Sequence, residues 1–98
     1  MLLRVRLPSA LGAYAGGQRQ LTVALPDDGV ATVELTLAEL GRAHPGVHQR
    51  VLDERGALRR HVNVFVNGES IRYLDGVETP VGDGDEVWIL PAVSGGGG

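Results

Sequence analysis

Alternating hydrophobic and polar residues in the first quarter of the chain predict two β-strands. Residues 3–7 alternate leucine and valine with arginine until Pro8, and residues 21–25 repeat the pattern with threonine and alanine. This period of two is typical of half-buried strands. The segment 26–29 (Pro-Asp-Asp-Gly) is turn-forming, and we interpret residues 9–18 as a connection.

A single strong helical pattern follows the second strand. Three hydrophobic residues fall at helical spacing on one face: Val33, Leu37 and Leu40. Thr32 is suited to cap this helix, whereas the Thr-x-x-Glu segment 36–39 offers a competing capping box one turn later. Because Pro45 disfavours helical geometry at the residue before it, the helix should end near Ala43. Residues 47–52 are compatible with a further short helical turn.

The last third of the chain returns to strand patterns. Residues 62–66 alternate valine with asparagine and phenylalanine, and an Asn-Gly pair follows at 67–68. This pair favours a type I′ hairpin, whose two central residues need positive φ. We therefore expect residues 69–73 to return as a strand, residues 82–85 to form another turn and residues 86–90 to form the last strand.

The order β-β-α-β-β-β predicts one α+β unit with the β-grasp, or ubiquitin-like, fold. One main helix would pack on one face of a mixed sheet of four to five strands. In such a sheet the last strand lies between the first and the third. We assign residues 1–92 to this domain and residues 93–98 to a flexible glycine-rich tail.

Composition narrows the function classes. The 43% hydrophobic content of the 98 residues fits a soluble globule, and no apolar run approaches the ~20 residues of a membrane span. There is no cysteine for a disulfide and no apparent signal peptide, so a cytoplasmic protein is expected. The net charge of −3 argues against nucleic acid as the main partner.

The polar residues assemble no catalytic or metal centre that we can identify. His44 and His48 have ligand spacing, but the Pro-Gly pair 45–46 between them breaks the helical geometry. No serine lies in a nucleophile motif, and residues 82–84 (Gly-Asp-Gly) lack the context of a dinucleotide site. The acidic segment 75–86 is interpreted as a solvated loop, with docking of a basic partner as the alternative. We therefore predict that the chain is not an enzyme.

The four glycines at 95–98 do not serve the fold, because glycine adds no apolar surface and loses the most backbone entropy on ordering. A frayed end or an added linker is one interpretation. The other is a slender chain end that enters a partner's channel too narrow for a Cβ atom. Its α-carboxylate, with a pKa of ~3.5, is ionised at neutral pH. Such a carboxylate can attack the α-phosphate of ATP, and sulfide or an amine can then displace AMP.

The C-terminal sequence resembles a known signature. Residues 83–96 (DGDEVWILPAVSGG) are similar to the C termini of the ubiquitin-like sulfur carriers of the MoaD/ThiS type, and residues 64–68 resemble their hairpin. The segments 15–18 (AGGQ) and 90–93 (LPAV) resemble the CysO-like branch, which serves cysteine biosynthesis. The similarity spans the whole chain.

This resemblance implies a carrier that binds no cofactor itself. An E1-like adenylyltransferase/sulfurtransferase would use ATP and a sulfur source to convert the terminal glycine to a thiocarboxylate. In the CysO-like branch a PLP-dependent cysteine synthase-like enzyme accepts the sulfur, and a JAMM-type zinc peptidase releases cysteine. In other branches the acceptor is the molybdopterin synthase large subunit, a thiazole synthase-like enzyme or an enzyme making a secondary metabolite such as a thiosugar.

One departure from the family pattern concerns the chain end. Alignment on residues 92–94 makes Gly95 and Gly96 the family pair and leaves Gly97 and Gly98 as extra residues. The extra pair is either trimmed, competent as it stands, or engineered. We take Gly98 as the acceptor in the chain as written, or Gly96 if the chain is trimmed.

Strand alternation also predicts a partner-binding face. If the valines of strand 62–66 face the core, the neighbouring side chains point to the open side of the sheet. The predicted face comprises Phe65, Trp88, Leu90, Arg4, Arg6, Pro91 and Val93. Aromatic and arginine residues are typical of interface hot spots, although stacking of an arginine on Trp88 as an ordinary surface pair is the alternative.

Three functions from different classes remain open at this point. The first is a sulfur carrier, a co-substrate in which cysteine biosynthesis is favoured over molybdopterin or secondary metabolism. The second is a ubiquitin-like modifier joined to lysines of other proteins, and the third is a passive binding domain. The chain has nine arginines and no lysine. Polymers of this chain linked through lysine side chains therefore cannot form.

Overall fold

The alternating segments form a five-stranded mixed sheet in the structure, a computed structural model that describes residues 1–92. Its strands are β1 (Leu2–Arg6), β2 (Gln20–Ala24), β3 (Val62–Val66), β4 (Glu69–Ser70) and β5 (Glu86–Pro91). The order across the sheet is β2-β1-β5-β3-β4. Strands β1 and β5 pair in parallel, and the other pairs are antiparallel. The last strand therefore lies between the first and the third, as predicted.

Three α-helices lie within residues 1–92: α1 (Ser9–Gly12), α2 (Val33–Ala43) and α3 (Pro45–Val51). The cap at Thr32 is confirmed, because its hydroxyl accepts a hydrogen bond from the Leu35 amide at 3.2 Å. The competing capping box is wrong, since the Thr36 hydroxyl is buried and donates to the Thr32 carbonyl at 2.9 Å. None of the helices in this range has the length and apolar character needed to cross a membrane.

The core lies between α2 and the inner face of the sheet. Alternate strand residues such as Val5, Val64 and Ile89 are fully buried, and they face Val33 and Leu37 of the helix. Their neighbours in sequence point to the other, open face, where they are partly or fully exposed. The two faces predicted from the alternation are therefore present along every long strand.

The turns explain where regular structure begins and ends. Asn67 and Gly68 adopt φ values of 50° and 89°, which confirms the predicted hairpin between β3 and β4. The prediction of a strand over 69–73 is wrong beyond Ser70, because the Ser70 hydroxyl accepts from the Arg72 amide and a 3₁₀ turn follows.

The connection over residues 9–18 is more ordered than the sequence predicted. It contains α1 and a 3₁₀ turn, Ala13–Ala15. Leu11 and Ala15 anchor this segment, because both side chains are buried in the core. The connection is therefore an ordered part of the domain that follows the C-terminal end of β1.

The loop between α3 and β3 is held by one carboxylate. Asp53 accepts hydrogen bonds from the amides of Arg55 at 2.9 Å and Ala57 at 3.0 Å. These two bonds, from Ala57 first and then Arg55, hold the pKa of Asp53 below its ordinary value because they stabilise the ionised carboxylate. The loop is thus a defined turn leading into β3.

Helices α2 and α3 approach each other closely at Gly41, which gives a testable prediction. A Cβ atom at Gly41 would lie 2.7 Å from the Cβ of His48. We expect Gly41→Ala to lower the free energy of unfolding by about 1–3 kcal/mol through overpacking, although alanine is the better helix former. The measurement is urea denaturation.

Gly82→Ala is the matched control for this measurement. An added Cβ there would meet only the Asp85 carboxylate, at 3.9 Å, so its unfolding free energy should stay close to that of the wild type. A gain in stability for Gly41→Ala would contradict the close packing of α2 on α3.

Candidate functional site

The open face of the sheet carries a row of large side chains across its three central strands. Trp88 of β5 lies opposite Arg6 of β1 and opposite Phe65 of β3. All three residues are partly exposed. The structure thus brings together the aromatic and basic residues that the alternation predicted on one face. We call Arg6, Trp88 and Phe65 the cross-strand row.

The other predicted face residues lie at different distances from this row. Leu90 is partly exposed on the same face of β5, opposite Asn63, and Pro91 is the last residue of the strand. Arg4 lies on the same face but opposite Glu86, at the far end of β5 from Pro91. The remaining predicted site residues lie outside the described residues: Val93, Gly95, Gly96, Gly97 and Gly98.

Contacts on both sides fix the orientation of Trp88. The Arg6 guanidinium carbon lies 4.8 Å from the centre of the indole ring, within cation–π range. The indole N–H donates to the Glu86 carboxylate at 2.8 Å. The stacked pair that we weighed as an alternative is therefore present. The pair holds the indole ring in one orientation, and part of Trp88 stays exposed and accessible to a partner.

Two grooves flank the end of β5. The Arg6 groove, of about 330 Å³, lies on the open face and is lined by Arg6, Leu7, Pro8, Arg19, Gln20, Trp88 and Leu90. The Tyr14 groove, of about 360 Å³, is lined by Ala10, Leu11, Tyr14, Arg50, His61, Val62, Ile89, Leu90 and Pro91. Leu90 lines both grooves, so they meet where the strand ends.

The backbone at the end of β5 is fixed to its neighbour. The Ala92 amide donates to the His61 carbonyl at 2.9 Å, and Pro91 lies opposite Val62 in the β3–β5 register. The end of β5 is therefore held at a defined point between the two grooves.

Several polar residues considered as site candidates have structural roles instead. The Asp83 carboxylate accepts from the Leu2 amide at 2.7 Å, and Asp85 accepts from Gly82 at 2.7 Å and from the Asn67 side chain at 3.0 Å. These bonds build the predicted turn before β5. His44 lies at the junction of α2 and α3. Within residues 1–92, no three histidine or carboxylate side chains group as metal ligands.

Comparison with known proteins identifies the family. The sequence profile of the ThiS family matches residues 13–96. The chain belongs to the ThiS family. The match ends at Gly96 and leaves Gly97 and Gly98 beyond it.

Individual ThiS-family relatives cover almost the whole chain. The sulfur carrier protein CysO of Mycobacterium tuberculosis is 37% identical over 98 residues, which is 98% of this chain and 100% of CysO. A chain in the crystal structure of the BexX/CysO complex from Amycolatopsis orientalis superimposes with a TM-score of 0.83 at 35% identity, covering 96% of this chain and 99% of that one. The small archaeal modifier SAMP1 from Haloferax volcanii gives 0.79 at 35% identity, covering 98% and 100%.

These relatives confirm the β-grasp, α+β fold and the resemblance to CysO-like sulfur carriers. They also confirm that this ThiS-family chain is a small carrier protein and not an enzyme. The site residues on the open face and in the C-terminal segment stay predictions.

Most residues that line the grooves were not predicted as site residues, and they include Tyr14, Arg19, Arg50 and His61. Arg19 could have been predicted from the pairing of β1 with β2. Gln20, the first residue of β2, lies opposite Arg6, so the residue before it lies near Arg6. Tyr14 and Arg50 stack with the guanidinium carbon 3.6 Å from the ring centre. They come from segments 36 positions apart (50 − 14), which no local pattern connects.

Proposed function

We propose that this chain carries sulfur on its C-terminal glycine as a thiocarboxylate. The carboxylate oxygen attacks the α-phosphate of ATP in an E1-like adenylyltransferase, and pyrophosphate leaves as the acyl-adenylate forms. A sulfide equivalent then adds to the acyl carbon and expels AMP. The observation that carries this proposal is the course of β5 in a ThiS-family chain, which runs from Trp88 directly toward the terminal glycines.

In this proposal the two parts of the molecule have separate tasks. The cross-strand row and Leu90 present a partly apolar, arginine-containing surface for the partner, the composition typical of interface hot spots. The terminal carboxylate supplies the chemistry. ATP and the sulfur source belong to the partner enzyme in the cytoplasm, and the carrier holds no cofactor.

We favour cysteine biosynthesis as the pathway that receives the sulfur, supported by the full-length similarity to CysO. A PLP-dependent synthase-like enzyme would accept the sulfur, and a JAMM-type zinc peptidase would release the product. Molybdopterin or a secondary metabolite such as a thiosugar are the alternative destinations. That the CysO relative of Amycolatopsis orientalis forms a complex with BexX supports direct docking of a carrier on a partner protein.

A second candidate function is protein modification. The similarity to the small archaeal modifier SAMP1 supports it, and the same acyl-adenylate would serve both functions. The two differ in the nucleophile that displaces AMP, which is sulfide in one case and a lysine amine of another protein in the other.

Intact-protein mass spectrometry tests the proposal. The chain is incubated with ATP, sulfide and an E1-like enzyme from the same host. We expect the mass gain of one oxygen replaced by sulfur, and we expect none when ATP is omitted. No gain with any such enzyme would contradict the sulfur-carrier function. Adducts on lysines of other proteins, without the sulfur gain, would favour the modifier.

A further inference from the structure

The charges of the domain are divided along β5. At the start of the strand lie Glu86 and the turn carboxylates Asp83 and Asp85, and Asp27 pairs with the N-terminal ammonium beside β1 at 2.9 Å. At the other end, no carboxylate of residues 1–92 lines the Arg6 groove or the Tyr14 groove. The described surface around the C-terminal end of β5 is therefore basic, although the whole chain has a net charge of −3.

Arg6 has an incomplete set of partners within residues 1–92. Its Nε atom is buried and has no hydrogen-bond acceptor there, and the indole of Trp88 lies against the guanidinium. Neither Arg6 nor Arg19 pairs with a carboxylate of the described residues. A partly desolvated guanidinium gains more from an added carboxylate than a fully hydrated one does, and paired N–H···O bonds with carboxylates are among the strongest in proteins.

We propose that the Arg6 groove receives an aspartate or glutamate side chain of the activating enzyme while the terminal glycine occupies the ATP site. This inference rests on the proposed function. The carboxylate accepts hydrogen bonds from Arg6 and Arg19, and the aliphatic part of the acidic side chain packs on Trp88 and Leu90, which line the same groove.

The length of the tail argues against the nucleotide itself as the ligand. The residues from 93 to the reacting glycine span about 13 Å for Gly96 and about 20 Å for Gly98 when extended, and a channel that excludes a Cβ atom requires an extended chain. The phosphates of ATP at either glycine would therefore lie far from the groove. A protein carboxylate beside the channel entrance does not have this difficulty, and opposite charges would orient the tail toward the channel during encounter.

Steady-state loading kinetics test this inference with the full chain, ATP, sulfide and the activating enzyme. We expect Arg6→Glu and Arg19→Glu each to raise the KM for the carrier about tenfold or more at low salt, with kcat unchanged because the contact serves docking. The increase should shrink as ionic strength rises. Arg19 is exposed, so its substitution reports on docking even if Arg6→Glu disturbs the fold.

Arg42→Glu is the control, because it makes the same charge change at an exposed position on α2. Wild-type kcat/KM in both groove variants would overturn the inference, and so would a fall in kcat with unchanged KM. Faster loading of the variants would also overturn it, since that would indicate that the chain's own C-terminal carboxylate occupies the groove. Failure of the wild-type chain to load would instead contradict the proposed function.

Discussion

Replacing the terminal glycine with valine is expected to lower the rate of thiocarboxylate formation by about 100-fold or more, a barrier increase of about 2.7 kcal/mol. In the proposed function the chain end enters a channel that admits only backbone, and a branched side chain blocks the approach of the carboxylate to ATP. The rate is read from the sulfur mass gain over time, for Gly98→Val against the wild type.

Comparing valine substitutions at Gly96 and Gly98 also shows which glycine reacts. If the chain reacts at Gly98, then Gly98→Val lowers the loading rate by this factor. If a peptidase first removes Gly97 and Gly98, which would leave the end of the family match at Gly96 as the chain end, then Gly96→Val lowers the rate and Gly98→Val has little effect. Wild-type rates for both variants would contradict a narrow channel.

Ala24→Val is the matched control for these valine substitutions. Ala24 is the last residue of β2 and is exposed, so the larger side chain should neither slow loading nor lower the melting temperature. The tail variants should also keep the wild-type melting temperature, because terminal glycines contribute no apolar surface to the core. Loss of loading with an unchanged fold would assign the effect to the chain end.

The strands could be predicted from sequence because each long strand has one buried and one open face. In β5, Val87 and Ile89 are fully buried, whereas Trp88 is partly exposed. Burial on one face alone is what produces a period of two. The open-face positions of Trp88 and Phe65 therefore followed from the pattern, and the sheet order then placed Trp88 between Arg6 and Phe65.

The connection between β1 and β2 could not be predicted in the same way. Helix α1 has only four residues, too few for a periodic pattern, and Gly12 lies at its end. Its order comes from Leu11 and Ala15, which contact a core assembled from distant segments. The Tyr14 groove was missed for the same reason, because Tyr14 and Arg50 become neighbours only when α3 packs beside this connection.

In the strand that follows the hairpin, side-chain hydrogen bonds compete with strand pairing, and the hydrophobic pattern does not reveal this competition. Residues 69–73 have suitable side chains for a strand, yet pairing stops at Ser70. The Ser70 hydroxyl donates to the Asn63 side chain and accepts from the Arg72 amide, so side-chain hydrogen bonds replace the strand ladder and favour a 3₁₀ turn.

Substitutions at adjacent residues of β5 should affect different properties, because one residue faces the partner and the next faces the core. Trp88→Ala is the substitution that tests binding to the partner. Trp88 is oriented by Arg6 and Glu86 on the open face. We expect its removal to raise the KM of the activating enzyme for the carrier about 30-fold, corresponding to about 2 kcal/mol of binding free energy for an interface hot spot. The measurement is loading rate against carrier concentration.

Two controls make this result specific. Tyr73→Ala removes an aromatic side chain that is 90% exposed in the turn after β4, and it should leave KM unchanged. Ile89→Ala truncates a fully buried neighbour and should cost about 2–5 kcal/mol of unfolding free energy, with a normal KM for the folded fraction. Unchanged KM in a folded Trp88→Ala chain would contradict the cross-strand row as the partner-binding face, because that substitution removes its central side chain.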